Sequence, residues 1–574
     1  MRRRKADMKQ KVAIDLQSYE DVIRKNIFYV DKTAFIKEWW ESEDSVTLIT
    51  RPRRFGKTLN IDMLNCFFSN TYENRGDLFE GLSIWEDEKY RQLQGTYPVI
   101  NLSFAGIKET NYETAKKKMC EIMTGLYSRN SFLRDSEVLT DKDKAYFDRI
   151  SKDMDDVDAT LALHRLSEFL YRYYGKKVII LLDEYDTPML EAYVNGFWDE
   201  LVSFTRSLFN AAFKTNPYVE RAVITGITRI SKESIFSDLN NLEVVTTTSD
   251  RYATAFGFTE KEVFAALDQY GLGEEKEGIK YWYDGFTFGT QTDIYNPWSV
   301  LNFLAKKKYD AYWANTSGNS LVSNIIKSAD SKIKKEFEDL LKGGTIYSAI
   351  DEQLVYNQLD DNETAIWSLL VASGYLKIMG YERLTAFGFG QKVKYELKLT
   401  NGEVNYMFYN MIRGWFEKAS TPYNEFIKAM LCNNLKEMNI YMNRVARDTF
   451  SYFDTGKRPS EAEPERFYHG FVLGLIADLS DEYVITSNRE SGYGRYDVMI
   501  EPKDKKKKAV ILEFKVHEPD EETDLEETIQ SALAQIEDRQ YEAVLLDKGF
   551  QKEQIYKYGF AFEGKKILIG QGKQ

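Results

Sequence analysis

The sequence predicts an α/β protein on three observations. Short, continuously apolar strands alternate with helical stretches over residues 1–250, one of those strands ends in an acidic pair, and a separate run of strands closes the chain. Strands that are apolar throughout and separated by helices imply a parallel sheet covered on both faces. In order, the first series is SVTLIT (45–50), a helix from Lys57, YPVINLSF (97–104), helices near 108–130 and 158–174, KKVIILLDEYD (176–186), another helix, and RAVITGITRI (221–230).

At 574 residues the chain is too long for one hydrophobic core and divides into several domains. The expected boundaries are 1–250 for the α/β core, 251–320 for a helical lid, 321–460 for a helical middle region and 461–574 for a last domain. Short helices dominate the lid segment (FGFTEKEVFAALDQY, NPWSVLNFLAKKK). The middle region contains AIWSLLVASGYLKIMGYE followed by KVKYELKLTNGEVNYMFYNMI. Its order of helix, strand, turn, strand, Asn-Gly turn and helix is winged-helix-like, and the same order serves ordinary packing. SYFDTGKRPSEAEPERF (451–467), polar with two prolines, reads as the clearest linker.

Composition is that of a globular chain: 43% apolar, 29% charged, with 38 Tyr and 35 Phe, which leaves little room for extensive disorder. No apolar run approaches the roughly 20 residues that span a bilayer. The N-terminal MRRRKADMKQKVAIDL is basic with no apolar segment behind it, so it does not read as a secretory signal, and a cytoplasmic protein with no membrane partner is expected. Cys66, Cys120, Cys432, His164, His469 and His517 are scattered without ligand spacing, which argues against structural zinc. A net charge of −13 argues against non-specific coating of nucleic acid, which needs a basic footprint. Local clusters remain: Arg51, Arg53 and Arg54, and KDKKKK at 503–508, although a lysine run in a turn is more often merely solvated.

RPRRFGKT (51–58) lies between an apolar strand and a helix, the context of a phosphate-binding loop. Arg54, Phe55 and Gly56 would bring backbone N–H groups to phosphate oxygens, Lys57 would reach the β/γ-phosphates, and the Thr58 hydroxyl would serve Mg²⁺. Alone, Gly56-Lys57-Thr58 is equally a helix N-terminus after a turn. The second half of the motif is VIILLDEYD, whose strand end can place Asp183 on the Mg²⁺ shell and Glu184 where it polarises an attacking water. Arg229, at the tip of RAVITGITRI near Thr225 and Thr228, is a candidate γ-phosphate contact or a surface arginine. No NKxD guanine-reading motif occurs, so ATP is the expected nucleotide. The departure is at the entrance, where Arg51 stands in the place of a glycine that freely visits φ > 0.

YVDKTAFI, RPRRFGKTL, LLDEYDTP and ITGITRISKESIFSDLNNL together resemble the AAA-ATPase-like family of bacterial proteins over roughly residues 10–300, and in that family the arginine-rich loop is itself the usual form. The resemblance implies a P-loop NTPase core with ATP and Mg²⁺ as cofactors. It also leaves open a homo-oligomer, since such sites often take an arginine from a neighbouring subunit.

The last domain reads independently. Glu465 opens the apolar helix ERFYHGFVLGLIADL, and three strands follow: EYVITSNRE, GRYDVMIEP and KAVILEFKV. Then come the helix LEETIQSALAQIEDRQY, EAVLLD and later KKILIG, an αβββαβ order. If the second and third strands form a hairpin centred near Lys505, Asp497 lies opposite Glu513, and Glu513 shares a face with Lys515. Two carboxylates and an ammonium so placed could bind Mg²⁺, activate water and stabilise a phosphodiester's developing charge, or could be a surface salt bridge across a hairpin. SNRESGYGRYDVMI and ILEFKV resemble the PD-(D/E)XK nuclease superfamily, whose fold is restriction-endonuclease-like. That resemblance implies DNA as partner, Asp497, Glu513 and Glu465 as metal-side carboxylates, Lys515 as the catalytic cation, and Gln535 and Tyr541 as neighbours of the site.

The expected function is an ATPase whose nucleotide state controls a Mg²⁺-dependent DNA nuclease. The alternative is a nucleotide-operated switch or scaffold whose nuclease-like domain binds without cutting. An ATPase with no nucleic-acid role is a third reading.

Overall fold

The computed structural model describes residues 10–214, 216–228, 235–236, 239–314, 316, 322–323, 325–326, 331–341, 343–351, 363–384, 392–417, 424–449, 472–473, 475–476, 479, 482–491, 494–519 and 521–572. The chain forms two compact units, one of residues 1–321 with 347–404, the other of 322–346 with 405–574. Arg229, Glu465 and the 451–467 segment lie outside the described residues.

The first unit is built on a five-stranded sheet of β1 (Val46–Thr50), β2 (Val99–Ser103), β3 (Val178–Asp183), β4 (Val219–Gly226) and β5 (Leu242–Val245). Its order is β2-β3-β4-β1-β5 and every neighbouring pair is parallel. β1 and β3 are buried at every position, as strands with no polar face must be when helices cover both sides. β4 lies between them, so its tip is the neighbour of both the basic loop after β1 and the acidic end of β3. β5 is a strand that sequence patterning does not single out: at four residues, LEVV is too short to show a period. The helix Asp156–Tyr174 begins where the Asp155 side chain accepts from the Asp158 N–H, and ends at Gly175 in the left-handed conformation.

After this sheet come helices Glu260–Tyr270, Lys276–Tyr283 and Pro297–Lys306. Among them is a small sheet of β6 (Phe258–Thr259), β7 (Phe286–Phe288) and β8 (Gln291–Tyr295), ordered β6-β8-β7, which a helical lid did not anticipate. Three strands follow: β9 (Ile346–Ser348), β10 (Leu376–Leu384) and β11 (Lys392–Leu399). Helix Glu363–Ala372 precedes β10, and helix Gly402–Glu417 follows β11, so the expected helix-strand-strand-helix order is present.

The second unit carries a mixed sheet of β12 (Tyr483–Ser491), β13 (Gly494–Pro502), β14 (Ala509–Val516), β15 (Ile555–Glu563) and β16 (Lys566–Gln571) in sequential order. Only β14 and β15 pair in parallel, and helix Leu525–Asp538 makes the crossover between them. One face of the sheet, with Val498, Leu512 and Phe514, packs on helices Asn424–Leu431 and Leu435–Thr449. The other face, with Met499 and Ile511, packs on the crossover helix through Ile529, Leu533 and Ile536. EAVLLD, expected as a strand, is a short helix, Ala543–Asp547. Leu545 is buried under the crossover helix, and the strand is supplied instead by IYKYGFAFE, whose polar and glycine positions conceal its pairing.

Candidate nucleotide and metal sites

β1 delivers the chain into the loop 51–56, and the loop's three arginines have separate fates. Arg51 is fully buried. Its Nη1 donates to the carbonyls of Thr50 (2.9 Å) and Thr246 (2.6 Å), its Nη2 donates to that of Arg251 (3.2 Å), and its guanidinium stacks 4.4 Å from the Phe288 ring centre. Burial opposes that charge, and carbonyl dipoles with an aromatic face hold it. Arg51 therefore ties the tip of β1 to the end of β5 and is not available to phosphate. Arg54 pairs with Asp15 at 2.7 Å and lies 4.2 Å from the Trp298 ring centre. Arg53 makes no side-chain hydrogen bond or ion pair among the described residues, and its charge lies close enough to depress Lys57.

The missing entrance glycine is explained by where the turn falls. Positive φ occurs at Arg54 (64°) and Gly56 (82°), not at Arg51. A Cβ added at Gly56 would meet nothing within 4 Å, so the space over the loop's end is open and the glycine is required by its backbone angle alone. The Phe55 side chain is caged, with ring centres 4.7 Å from Phe286 and 5.6 Å from Phe288, so only its backbone can serve a ligand.

Lys57, 5% exposed, donates from Nζ to the Arg51 carbonyl (2.9 Å) and the Pro52 carbonyl (2.8 Å) of its own loop. Burial holds its ammonium below the usual lysine range, opposed by the carboxylates of Glu184, Asp183 and Asp186. Asp183 is gripped on both oxygens: Thr58 Oγ1 donates to Oδ2 at 2.6 Å and Thr225 Oγ1 donates to Oδ1 at 2.5 Å. Burial pushes its carboxyl up, and the two hydroxyls pull it back. Glu184 stands at φ 51°, in the left-handed region, and its Oε2 accepts from Thr187 at 3.1 Å. Open space over Gly56, a lysine with carbonyls it can exchange, and a Thr58–Asp183 pair suit a triphosphate with its Mg²⁺.

Sequence reading passed over Asp186. Its Oδ2 accepts from the backbone N–H groups of Ile227 (2.8 Å) and Thr228 (2.9 Å), so it fastens the turn after β4 to the turn after β3. Burial pushes this carboxyl up as well. An acid three residues beyond Asp183 in DEYD was the available signal, but nothing local distinguishes it from a helix cap.

In the second unit the β13–β14 register pairs Val498 with Leu512 and Ile500 with Val510, which is the hairpin centred near Lys505. One step further the ladder gives way to side chains. Asp497 Oδ2 accepts from the Phe514 N–H at 2.9 Å, and the Asp497 N–H reaches Glu513 Oε2 at 3.4 Å. Glu513 is 1% exposed, its Oε1 accepts from Gln535 Nε2, and the same amide donates to the Tyr541 hydroxyl at 3.2 Å. The crossover helix reaches Glu513 because its cross-strand neighbour is Gly559, where a Cβ would come within 3.1 Å of Ala532. Lys515, two residues along β14 on the same face, is half-buried and makes no hydrogen bond or ion pair among the described residues. Two carboxylates fixed by neutral donors beside an unengaged ammonium fit a hard divalent cation and a phosphodiester.

Residues 13–236 match the family described as predicted AAA-ATPase, AAA-ATPase-like, and residues 463–572 match the PD-(D/E)XK nuclease superfamily. The chain thus carries a predicted AAA-ATPase domain at its N-terminus and a PD-(D/E)XK nuclease-superfamily domain at its C-terminus. It is 25% identical over 398 residues to an uncharacterized protein in the vnfD 5'region of Azotobacter chroococcum mcd 1, covering 69% of this chain and 68% of that one. Among solved structures it is similar to a signal transduction ATPase with numerous domains, bearing a tetratricopeptide repeat sensor, from Pyrococcus horikoshii. That match has a TM-score of 0.23 and 13% identity, and covers 79% of this chain and only 54% of the other. No helix among the described residues is long and apolar enough to cross a membrane.

Proposed function

We propose that this chain is an ATPase whose nucleotide state controls a Mg²⁺-dependent nuclease acting on DNA. The observation that carries the reading is a pair of separate acid constellations, Thr58–Asp183–Thr225 and Asp497–Glu513–Gln535, one within each matched segment. In this reading the ATPase core and its lid take residues 1–320 and the nuclease module takes 461–574, with the winged-helix-like region between them.

ATP with Mg²⁺, when bound, supplies the phosphoanhydride whose hydrolysis the first site performs. Lys57 releases the Arg51 and Pro52 carbonyls to engage phosphate, and Arg53 adds a second positive charge. Thr58 and Asp183 hold the metal side, and Glu184 orients water. Arg229, next to Thr228 in the sequence and outside the described residues, is assigned to the γ-phosphate. At the second site Asp497, Glu513 and Glu465 hold the metal side, while Lys515 stabilises charge on the cleaved phosphodiester.

Control has a physical starting point in the loop. The Arg53 carbonyl accepts from the Trp313 indole (3.0 Å) and the Asn296 amide (3.4 Å), and the Trp313 backbone N–H donates to Glu403 at 2.6 Å. A loop that reshapes around phosphate must disturb these contacts.

The test is ATP turnover and plasmid cleavage with Mg²⁺ or Mn²⁺ on wild type, Lys57→Ala and Asp497→Ala. Cleavage lost in Asp497→Ala and altered in Lys57→Ala is the expected result, and cleavage unchanged by Asp497→Ala or Lys515→Ala rejects the nuclease site. The net charge of −13 favours a second reading, a switch whose C-terminal module binds a partner without cutting. DNA binding or ATP turnover with no cleavage at any metal would select it.

A further inference from the structure

We propose that Glu260, Asp284 and Asp293 form a site for a hard divalent cation, separate from both sites above, in the module that walls the phosphate loop. Glu260 opens the helix Glu260–Tyr270, Asp284 follows the helix Lys276–Tyr283, and Asp293 lies in β8. One ligand oxygen from each lies within 4.8 Å of the others. Two oxygens on opposite sides of a Ca²⁺-sized ion, each about 2.4 Å away, are separated by about that distance.

The second observation is Asp284 itself. It is 7% exposed, and its Oδ1 is buried with no hydrogen-bond partner among the described residues. An unpaired carboxylate oxygen in that position is expensive unless a cation or a proton takes it.

The groups facing the cluster decide between a ligand site and a closed salt bridge. Lys280 Nζ is 2.5 Å from Glu260 Oε2, 3.3 Å from Asp293 Oδ1 and 4.0 Å from Asp284 Oδ2. Tyr295 donates to Glu260 at 3.3 Å, and Lys377 approaches from β10, its Nζ 3.0 Å from where a Gly285 Cβ would stand. Burial holds the Lys377 ammonium below the usual lysine range. Lys280 thus satisfies Glu260 and Asp293 first and leaves Asp284 last. The site has a structural consequence: Asp284 is two residues from Phe286, which with Phe288 cages Phe55 of the phosphate loop.

The experiment counts Mn²⁺ bound to nucleotide-free full chain by electron paramagnetic resonance, in an Asp497→Ala background that removes the other acid pair. The proposal expects one Mn²⁺ equivalent in that background to disappear when Asp284→Asn is added. It also expects Lys280→Met to bind about tenfold more tightly, because the competing ammonium is gone. Equal counts with and without Asp284→Asn overturn it, as does Lys280→Met with unchanged or weaker affinity, which would mark an ion-pair cluster only. If Asp284→Asn does not fold, Lys280→Met alone decides. Comparing wild type with Asp497→Ala reports separately on the nuclease reading.

Discussion

The two lysines at the centres of the proposed sites are in opposite states. Lys57 is buried and already bonded to two carbonyls of its own loop, and its neighbours Arg51 and Arg54 are committed to Thr246 and Asp15. Lys515 is half-buried with no bonded partner among the described residues, while the carboxylates beside it are fixed by the Phe514 N–H and Gln535. On the proposed reading the first site exchanges bonds before it acts, whereas the described part of the second, Asp497, Glu513 and Lys515, already stands together. A site that must rearrange can report a ligand, whereas a preassembled one suits catalysis on arrival.

The largest expected effect tests the closed site. Lys57→Met should lower ATP turnover by about 10²–10³-fold, the scale of losing one directed positive contact in a transition state. It should also cost roughly 1–3 kcal/mol of stability, because the Arg51 and Pro52 carbonyls lose their donor and the nearby carboxylates lose a counter-charge. Unchanged chemical denaturation would mean that Lys57 does not hold the loop closed.

Next, Lys515→Ala should reduce metal-dependent cleavage by about 10²-fold with stability within about 0.5 kcal/mol of wild type, since among the described residues it makes no hydrogen bond or ion pair. If denaturant melts show a destabilisation well beyond that, the lysine is engaged and the contrast fails.

Glu403 sharpens the comparison through the loop's support. It is fully buried and accepts from the Ser299 hydroxyl (2.8 Å) and the Trp313 N–H (2.6 Å), so Glu403→Ala orphans donors and should cost about 2 kcal/mol by chemical denaturation. Burial pushes its carboxyl up to about 7, against about 4.3 in an unfolded chain. Between those values the unfolded state binds fewer protons, so this group's contribution makes stability fall as pH rises from about 4.3 to about 7. Glu403→Gln should flatten that slope, which melts across the same pH range would measure.

The smallest effects separate the arginines. Arg53→Ala should raise the KM for ATP several-fold, while Arg54→Ala, which loses an exposed ion pair, should change stability by about 0.5 kcal/mol or less. Steady-state kinetics on both variants would show whether the two side chains have been assigned the right way round.

What the sequence alone determined is whatever local periodicity encodes. Strands buried on both faces read as largely apolar runs, so β1 and β3 were legible with their ends and β4 without them, since it stops at Gly226 rather than running on to 230, and with β1 and β3 came the placement of Lys57 and Asp183. Alternation along a hairpin is also local, which is why Asp497 and Glu513 could be set opposite each other from a turn near Lys505. The short β5, the helix at EAVLLD and the small sheet of β6, β7 and β8 were hidden, because their conformation depends on what packs against them.

Tertiary structure decided the allocation of charge. RPRRF presents three arginines that look equivalent. Arg51 is taken by the Thr246 carbonyl 195 residues away and Arg54 by Asp15 39 residues before it, which leaves Arg53. The gathering of Glu260, Asp284 and Asp293 likewise requires two helices and a strand to meet. A charged side chain's role follows from which partners reach it in the fold, and that information is long-range by nature.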